Sequence, residues 1–303
     1  MKILITGATG LVGSKLTKLL LTSGHRVHFL TTSHKKKNTL GAAKGFLWNP
    51  SKQEIDPKCW EGVSVLIHLA GTSISIPWTA SNKKRILNSR VDSSDLLVKS
   101  LTENGIQLDT VVCASAIGYY PSSNEINFKE EATKGEGFLA AVVTEWEAAT
   151  EKLNTVASSV VKLRIGLVLA KEGGVLPTLL LPVRLGAGSA FGSGTQGQSW
   201  IHIDDLTRLF QWACTATQSN IYNAVAPNPV SQNELIRTLG KVYRRPIFLP
   251  NIPAFFMRLL LGERSALVLN SQYVSSDKVQ KAGFIFQHEG LEAALRQLLD
   301  RKG

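Results

Sequence analysis

The chain has 303 residues, 44% of them hydrophobic and 19% charged, a balance that excludes a disordered polymer and suits a globular core needing no staples. Its three cysteines, Cys59, Cys113 and Cys214, are odd in number and far apart, which excludes a disulfide framework and a Cys-x-x-Cys metal or redox site. The net charge is +11, and residues 1–60 carry ten Lys/Arg against Glu54 and Asp56, so +8 of it lies there. Nucleic-acid binding needs such a footprint, but aromatics are not interleaved with these cations and no nucleic-acid motif accompanies them. The excess reads as a solvated face or as an aid in attracting a polyanionic small molecule. No apolar run approaches the ~20 residues of a membrane span, and Met1-Lys2 runs straight into Ile-Leu-Ile-Thr, without room for a leader. A soluble, cytoplasmic protein with neither membrane nor nucleic acid as partner is expected.

In chain order, KILIT (2–6), RVHFLT (26–31), VSVLIHLA (63–70), TVVCAS (110–115), SVVKLRIG (159–166) and IYNAV (221–225) are Val/Ile-rich runs bounded by Gly, Ser or Asn, which predicts strands. Between them Val12, Leu16, Leu19 and Leu20 recur at helical spacing, as do Leu87, Val91, Leu97, Val98 and Leu101, and Leu139, Val142, Val143, Trp146 and Leu153. The alternation predicts an α/β fold whose parallel sheet is doubly wound and covered on both faces. After about residue 170 the regularity fails. GAGSAFGSGTQGQ (186–198), with five glycines, predicts a loop; Ser231 to Glu234 is a capping box opening a helix with Leu235, Leu239 and Val242; a last helix is expected near 289–299. The expected organisation is a core over 1–170, rejoined by 199–225, and a small mixed α/β C-terminal substrate or cap lobe from 171–198 and 226–303. That lobe would close over the carboxyl edge of the sheet.

Gly7-Ala8-Thr9-Gly10-Leu11-Val12-Gly13 follows the first strand and opens the first helix. In that setting the glycines have separate uses: Gly7 for the tight turn, Gly10 for close approach to a pyrophosphate, Gly13 for helix–strand packing. Together with the unsatisfied N–H groups of Leu11, Val12 and Gly13, they form the anion site of a dinucleotide loop in a Rossmann-type sheet. The second strand ends Thr31-Thr32-Ser33-His34, followed by Lys35, Lys36 and Lys37, with no acid until Glu54. A carboxylate there would hold the ribose 2′-hydroxyl of NAD. Hydroxyls and cations suit a 2′-phosphate, so NADP(H) is favoured over NAD(H), although lysine lacks the planar fork of arginine and these three also read as a solvated run.

GATGLVG (7–13), LIHLAG (66–71) and Ala114-Ser115-Ala116 resemble the extended short-chain dehydrogenase/reductase superfamily, which includes nucleotide-sugar epimerases and dehydratases. SRV (89–91), SAIGYY (115–120), TEWEAA (144–149), GSGTQGQSWIHIDDL (192–206) and NAVAP (223–227) are similar to one atypical branch of it, described as epimerase family or cell-division-inhibitor-like. The resemblance implies cofactor contacts at Leu69, Ala70, Gly71, Arg90, Ser115 and Val168, beside the glycine loop, Thr31 and Thr32. It also implies a departure. Leu139 and Val143 stand where the superfamily carries the Tyr and Lys of Tyr-x-x-x-Lys, and Arg90 stands for its asparagine. Free tyrosine titrates near ~10, so the pair matters for acid–base work at neutral pH.

The candidate catalytic groups are then Ser115, which matches the superfamily's serine, and Tyr119 or Tyr120 as a substitute phenol. Each also reads as a packing residue: a strand-end serine bonded to local backbone, tyrosines in a wall or core. Arg90 reads as an anion contact to cofactor or substrate, or as a helix ion pair. Arg164 reads as an anchor near the cofactor edge. Trp78, Phe191 and Trp200 read as pocket wall or core. His202, Asp204 and Asp205 supply one histidine and no second at helical spacing, so no metal is expected. No Gly-x-Ser-x-Gly elbow marks a hydrolase. The leading expectation is an NADP(H)-dependent oxidoreductase or epimerase/dehydratase-like enzyme acting on a small, unidentified substrate. A non-catalytic NADPH-dependent regulator that binds another protein is the alternative.

Overall fold

The computed structural model describes residues 1–300. The chain divides into two compact units, one of Met1–Tyr119, Glu136–Arg164 and Thr207–Tyr222, the other of Tyr120–Gly135, Ile165–Leu206 and Asn223 onward. No helix among the described residues is long and apolar enough to cross a membrane.

The first unit is built on a sheet whose first six strands are β1 (Lys2–Thr6), β2 (Arg26–Thr31), β3 (Lys44–Asn49), β4 (Glu54–Ile55), β5 (Val65–His68) and β6 (Leu108–Ala116). From one edge the order is Asn220–Ala224, Ala157–Ile165, β6, β5, β1, β2, β3, β4. β1 pairs in parallel with both β2 and β5, β3 with β2, and β6 with β5; β4 pairs antiparallel with β3. Ile3, Leu4 and Ile5 are fully buried, as a strand covered on both faces requires. The chain builds outward from β1 to β3, then returns to β5 on the other side. That reversal leaves a crevice at the carboxyl end of β1, the place where doubly wound sheets take ligands. The expected Rossmann-type sheet is present.

Three helices bear on the site: α1 (Leu11–Thr22), α2 (Ala80–Glu103) and α3 (Gly137–Glu151). α2 begins a full two turns before the periodic leucines, because Thr79 caps it by accepting the Asn82 N–H at 3.3 Å. It packs Leu96, Leu97 and Leu101 into one core with Leu4, Leu66, Trp60 and Val111.

The second unit holds a three-stranded sheet (Gly173–Gly174, Leu167–Ala170, Trp200–His202) and a four-stranded one (Val230–Ser231, Gly197–Gln198, Gln272–Val274, Ser123–Phe128). The capping box is present: Ser231 Oγ accepts the Glu234 N–H at 3.1 Å and opens the helix Gln232–Tyr243. The closing helix runs Leu291–Leu299. Residues 186–196 form neither helix nor strand. A strand over Ser123–Phe128 and helices over Leu176–Arg184 and Ala254–Leu261 were not expected, since SNEINF is polar and the two helices are apolar without a period.

Candidate functional site

Gly7 leaves β1 in the left-handed region, φ 70°, and a Cβ on it would lie 2.9 Å from the Leu69 carbonyl, so both its conformation and its neighbour demand glycine. Gly13 sits still closer: its Cβ would come within 2.3 Å of the Gly7 oxygen. Gly10 differs, being exposed, with only the Gly7 oxygen nearby at 3.3 Å. It forms the N-cap of α1 without any side-chain hydrogen bond, and no acidic residue occupies the first turn. The first-turn N–H groups of Leu11, Val12 and Gly13 have no intrahelical acceptor and sit at the positive end of the helix dipole. An anion fits this cradle.

The second wall is the loop after β5, held from both sides. Below, Thr6 Oγ1 accepts the N–H groups of Leu69 and Ala70, each at 3.0 Å, and lies 2.7 Å from His68 Nδ1. From α2, Ser89 Oγ accepts the Thr72 N–H at 2.9 Å, and Arg90 Nη1 donates to the Thr72 and Ile86 carbonyls. Arg90 is buried beneath Gly71, with its guanidinium 4.8 Å from the Trp146 ring centroid. Burial pushes its pKa down to about 10. Its Nε and the neighbouring Trp146 Nε1 have no acceptor among the described residues, so Arg90 combines a clamp on the loop with a donor left for an anion or water.

Between these walls lies a cavity of about 670 Å³ contained in the first unit. Of the residues singled out in the sequence, Gly7, Thr9, Thr31, Thr32, Ala70 and Gly71 line it, whereas Gly10, Leu11, Val12, Gly13, Leu69 and Arg90 are outside the lining. Leu30, Trp48 and Pro50 give an apolar wall suited to a base. Lys36, Lys84 and Arg85 bring three cations, and Asp92 is the one carboxylate. Burial, then Asp95, raises the Asp92 pKa. Of the lysines after β2, only Lys36 reaches the lining. Lys84 and Arg85 escaped sequence reasoning: they lie more than seventy residues beyond the glycine loop, on a turn of α2 read as starting later. The run Lys83-Lys84-Arg85, just after the Thr79 cap, was the signal.

Ser115, Tyr119 and Arg164 belong to a separate network in the same unit. Ser115 Oγ donates to Glu147 Oε1 at 2.5 Å. Arg164 binds the same carboxylate at two points, Nε to Oε1 at 2.8 Å and Nη2 to Oε2 at 2.9 Å, with side-chain exposures of 3% and 11%. The Arg164 guanidinium lies 3.6 Å from the centroid of Tyr119. A carboxylate held by arginine only accepts, so the Ser115 proton is committed to Glu147 and its oxygen keeps only its lone pairs for any further partner. Leu139 and Val143 pack against Gly118 on the adjacent turn.

Tyr120 is buried in the second unit, where its hydroxyl donates to Asn223 Oδ1 at 2.6 Å and its ring stacks on Phe128. Val168 lies on the strand Leu167–Ala170 of that unit. Trp78, in the first unit, meets Phe138 edge-on, whereas Trp200 is a fully buried core residue of the second and Phe191 bridges to Ile252 there.

His202, Asp204 and His288 come together within the second unit, their ligand atoms within 4.8 Å of one another. Both ring nitrogens of His202 are engaged: Nδ1 accepts the Asp204 N–H at 3.1 Å, and Nε2 meets Gln297 Oε1 at 2.9 Å. Burial, then His288 stacked at 3.7 Å, lowers the His202 pKa to about 4. This is a neutral histidine whose Nδ1 caps the helix Ile203–Ala213.

The chain matches the model of the NAD dependent epimerase/dehydratase family over residues 3–224, and that of a domain of unknown function, DUF1731, over 252–298. It belongs to the NAD dependent epimerase/dehydratase family. It is 35% identical over 303 residues to the Arabidopsis thaliana epimerase family protein SDR39U1 homolog, chloroplastic, covering 99% of this chain and 87% of that one. With Bacillus subtilis (strain 168) epimerase family protein YfhF the identity is 34% over 305 residues, covering 100% and 99%. The crystal structure of human epimerase family protein SDR39U1 (isoform 2) with NADPH superposes with a TM-score of 0.84 at 27% identity, covering 99% and 100%. The resemblance read from SRV, SAIGYY and TEWEAA therefore holds along the chain.

Proposed function

We propose that the chain is an NADP(H)-binding atypical short-chain dehydrogenase/reductase, an epimerase/dehydratase-like oxidoreductase acting on a small carbonyl or nucleotide-sugar-like substrate. One observation carries the cofactor reading: the cavity lined by Gly7 and Thr9 of the glycine loop also takes in Thr31, Thr32, Ser33, Lys36, Lys84 and Arg85, and the end of β2 carries no carboxylate. The N–H groups of 11–13 would take the pyrophosphate. The hydroxyls and cations would take the 2′-phosphate, with arginine supplying the fork that the lysines lack. The relative whose structure contains NADPH supports the same choice. Bound there, the nicotinamide supplies or accepts a hydride; the chain's part is to orient it and to place the Ser115 lone pairs and the Glu147–Arg164 pair.

A second reading, a non-catalytic NADPH-dependent partner of another protein, draws on a specific observation. Ser115 and Tyr120 both give their hydroxyl protons to internal acceptors, so neither is an evident acid.

Fluorescence titration of cofactor-stripped protein with NADPH and with NADH tests the shared part. Tighter NADPH binding is expected, and equal affinity would remove the 2′-phosphate pocket. Oxidation of NADPH by any of a panel of small carbonyl compounds or nucleotide sugars then supports the enzyme. Tight NADPH binding without turnover across the panel, and with a protein captured only in its presence, supports the regulator.

A further inference from the structure

The second unit presents large apolar side chains to solvent. The helix Ala254–Leu261 buries only Met257, leaving Phe255, Leu259 and Leu260 outward, Leu259 at 78% exposure. Just before it Phe248 is 84% exposed, and Leu185, ending the helix Leu176–Arg184, is 76% exposed. These segments are tied together. Ile247 packs on the backbone of Gly188, where a Cβ would come within 2.6 Å of it. Ser189 Oγ donates to the Pro250 carbonyl at 2.6 Å, and the Ile252 N–H to the Ala190 carbonyl at 2.9 Å. Several large apolar side chains exposed on segments tied together in this way mark an interaction surface.

Directly beside it, Arg237, Lys241, Arg244 and Arg245 line a concave pocket of about 420 Å³ whose floor includes Ile247. Lys241 is paired with Glu292 at 2.7 Å, whereas Arg237, Arg244 and Arg245 have no acidic partner among the described residues. From Arg237 to Leu261 the chain carries five cations and no acidic residue.

The charge chooses the occupant. A second copy meeting this face by two-fold symmetry would bring five cations against five. A nucleic acid would satisfy the arginines and leave Phe248, Leu259 and Leu260 in water. An anionic bilayer accepts both halves, because phosphates at the headgroup level draw the arginines while large apolar side chains enter the acyl boundary. We infer that this face seats the protein reversibly on an anionic phospholipid surface, with Arg244 and Arg245 on headgroup phosphates and Phe248, Leu259 and Leu260 inserted. The inference is independent of the cofactor reading.

Co-sedimentation of the full-length protein with phosphatidylcholine vesicles, with and without about 30% phosphatidylglycerol, tests it. The protein pellets with the anionic vesicles, fails to pellet with the neutral ones, and loses roughly tenfold in affinity at high salt. Phe248→Ser with Leu259→Ser, and separately Arg244→Gln with Arg245→Gln, each reduce binding roughly tenfold at unchanged thermal midpoint. Leu185→Ser serves if the first pair fails to fold, and the lipid and salt dependence are read on the unaltered protein in any case. No pelleting with anionic vesicles overturns the inference. So does equal binding to neutral ones, or undiminished binding by the folded apolar variants, which would make the pocket a site for free phosphate. Concentration-dependent self-association on size exclusion, abolished by those same variants, would assign the face to a second copy instead.

Discussion

Thr6 Oγ1 lies 2.7 Å from His68 Nδ1, and that contact decides the protonation of a fully buried ring. Thr6 Oγ1 already accepts the N–H groups of Leu69 and Ala70, so its single proton must go to His68 Nδ1. The ring proton then sits on Nε2, which faces Ser94 Oγ at 3.2 Å, and Ser94 in turn donates to the Arg90 carbonyl at 2.8 Å. β1, the loop lining the cavity and α2 are thereby joined through one neutral imidazole.

This arrangement makes stability depend on acid. Burial, then the charge of Arg90, lowers the His68 pKa to about 4, while an unfolded histidine titrates near ~6.5. Between those values the unfolded chain binds more protons, so stability is full above the upper value and falls as pH drops toward the lower, by as much as about 3 kcal/mol from His68. His202, lowered to about 4, adds in the same direction. Urea midpoints measured from neutral pH into the acid range should fall, and His68→Asn should flatten the slope while lowering the neutral-pH midpoint. A midpoint indifferent to pH over this window would contradict the tautomer chain.

Gly13 and Gly10 should separate folding from binding. Gly13→Ala forces a Cβ against backbone that cannot yield and should cost about 1–3 kcal/mol of stability. Gly10→Ala meets only the Gly7 oxygen at 3.3 Å, so its thermal midpoint should move little while NADPH affinity falls roughly tenfold, because the methyl occupies the face offered to pyrophosphate. Melting curves and NADPH titrations on both variants check this. Equal loss of stability in the two would contradict it.

Lys84 and Arg85 should distinguish the two cofactors. Replacing either by Ala is expected to weaken NADPH binding by roughly fivefold to tenfold and NADH binding much less, since a charge-assisted contact to the 2′-phosphate exists only for the first. Equal weakening of both would place these cations elsewhere on the cofactor.

The Glu147–Arg164 pair should be structural as well as chemical. Glu147→Ala leaves a buried guanidinium without its carboxylate and should cost about 3–5 kcal/mol, well above Ser115→Ala. Urea denaturation of the two variants gives the comparison, and a Ser115→Ala loss as large as that of Glu147→Ala would contradict it.

The parts of this fold legible in the sequence are those where one physical demand is written locally. KILIT followed by GATGLVG shows a doubly covered strand, a turn and a helix start within a dozen residues. Ser231 and Glu234 show a cap three residues apart. What stayed hidden depends on contacts across long separations or on mixed surfaces. β3 and its Trp48 wall were missed because KGFLWN mixes Lys, Gly and Asn with two aromatics. The Thr6–His68 contact spans 62 residues, and the commitment of the Ser115 proton to Glu147 spans 32. Helix Ala254–Leu261 shows no period because its apolar residues face solvent as well as core.

Backbone hydrogen exchange with and without saturating NADPH tests the central claim most directly, since it reports where the cofactor lies without needing a substrate. The account predicts protection concentrated at Gly10–Ser14, Thr31–Ser33 and Ala70–Thr72, with weaker protection at the start of α2 around Lys84 and Arg85. Protection absent from the glycine loop, or confined to the second unit, would contradict the assignment of the cavity.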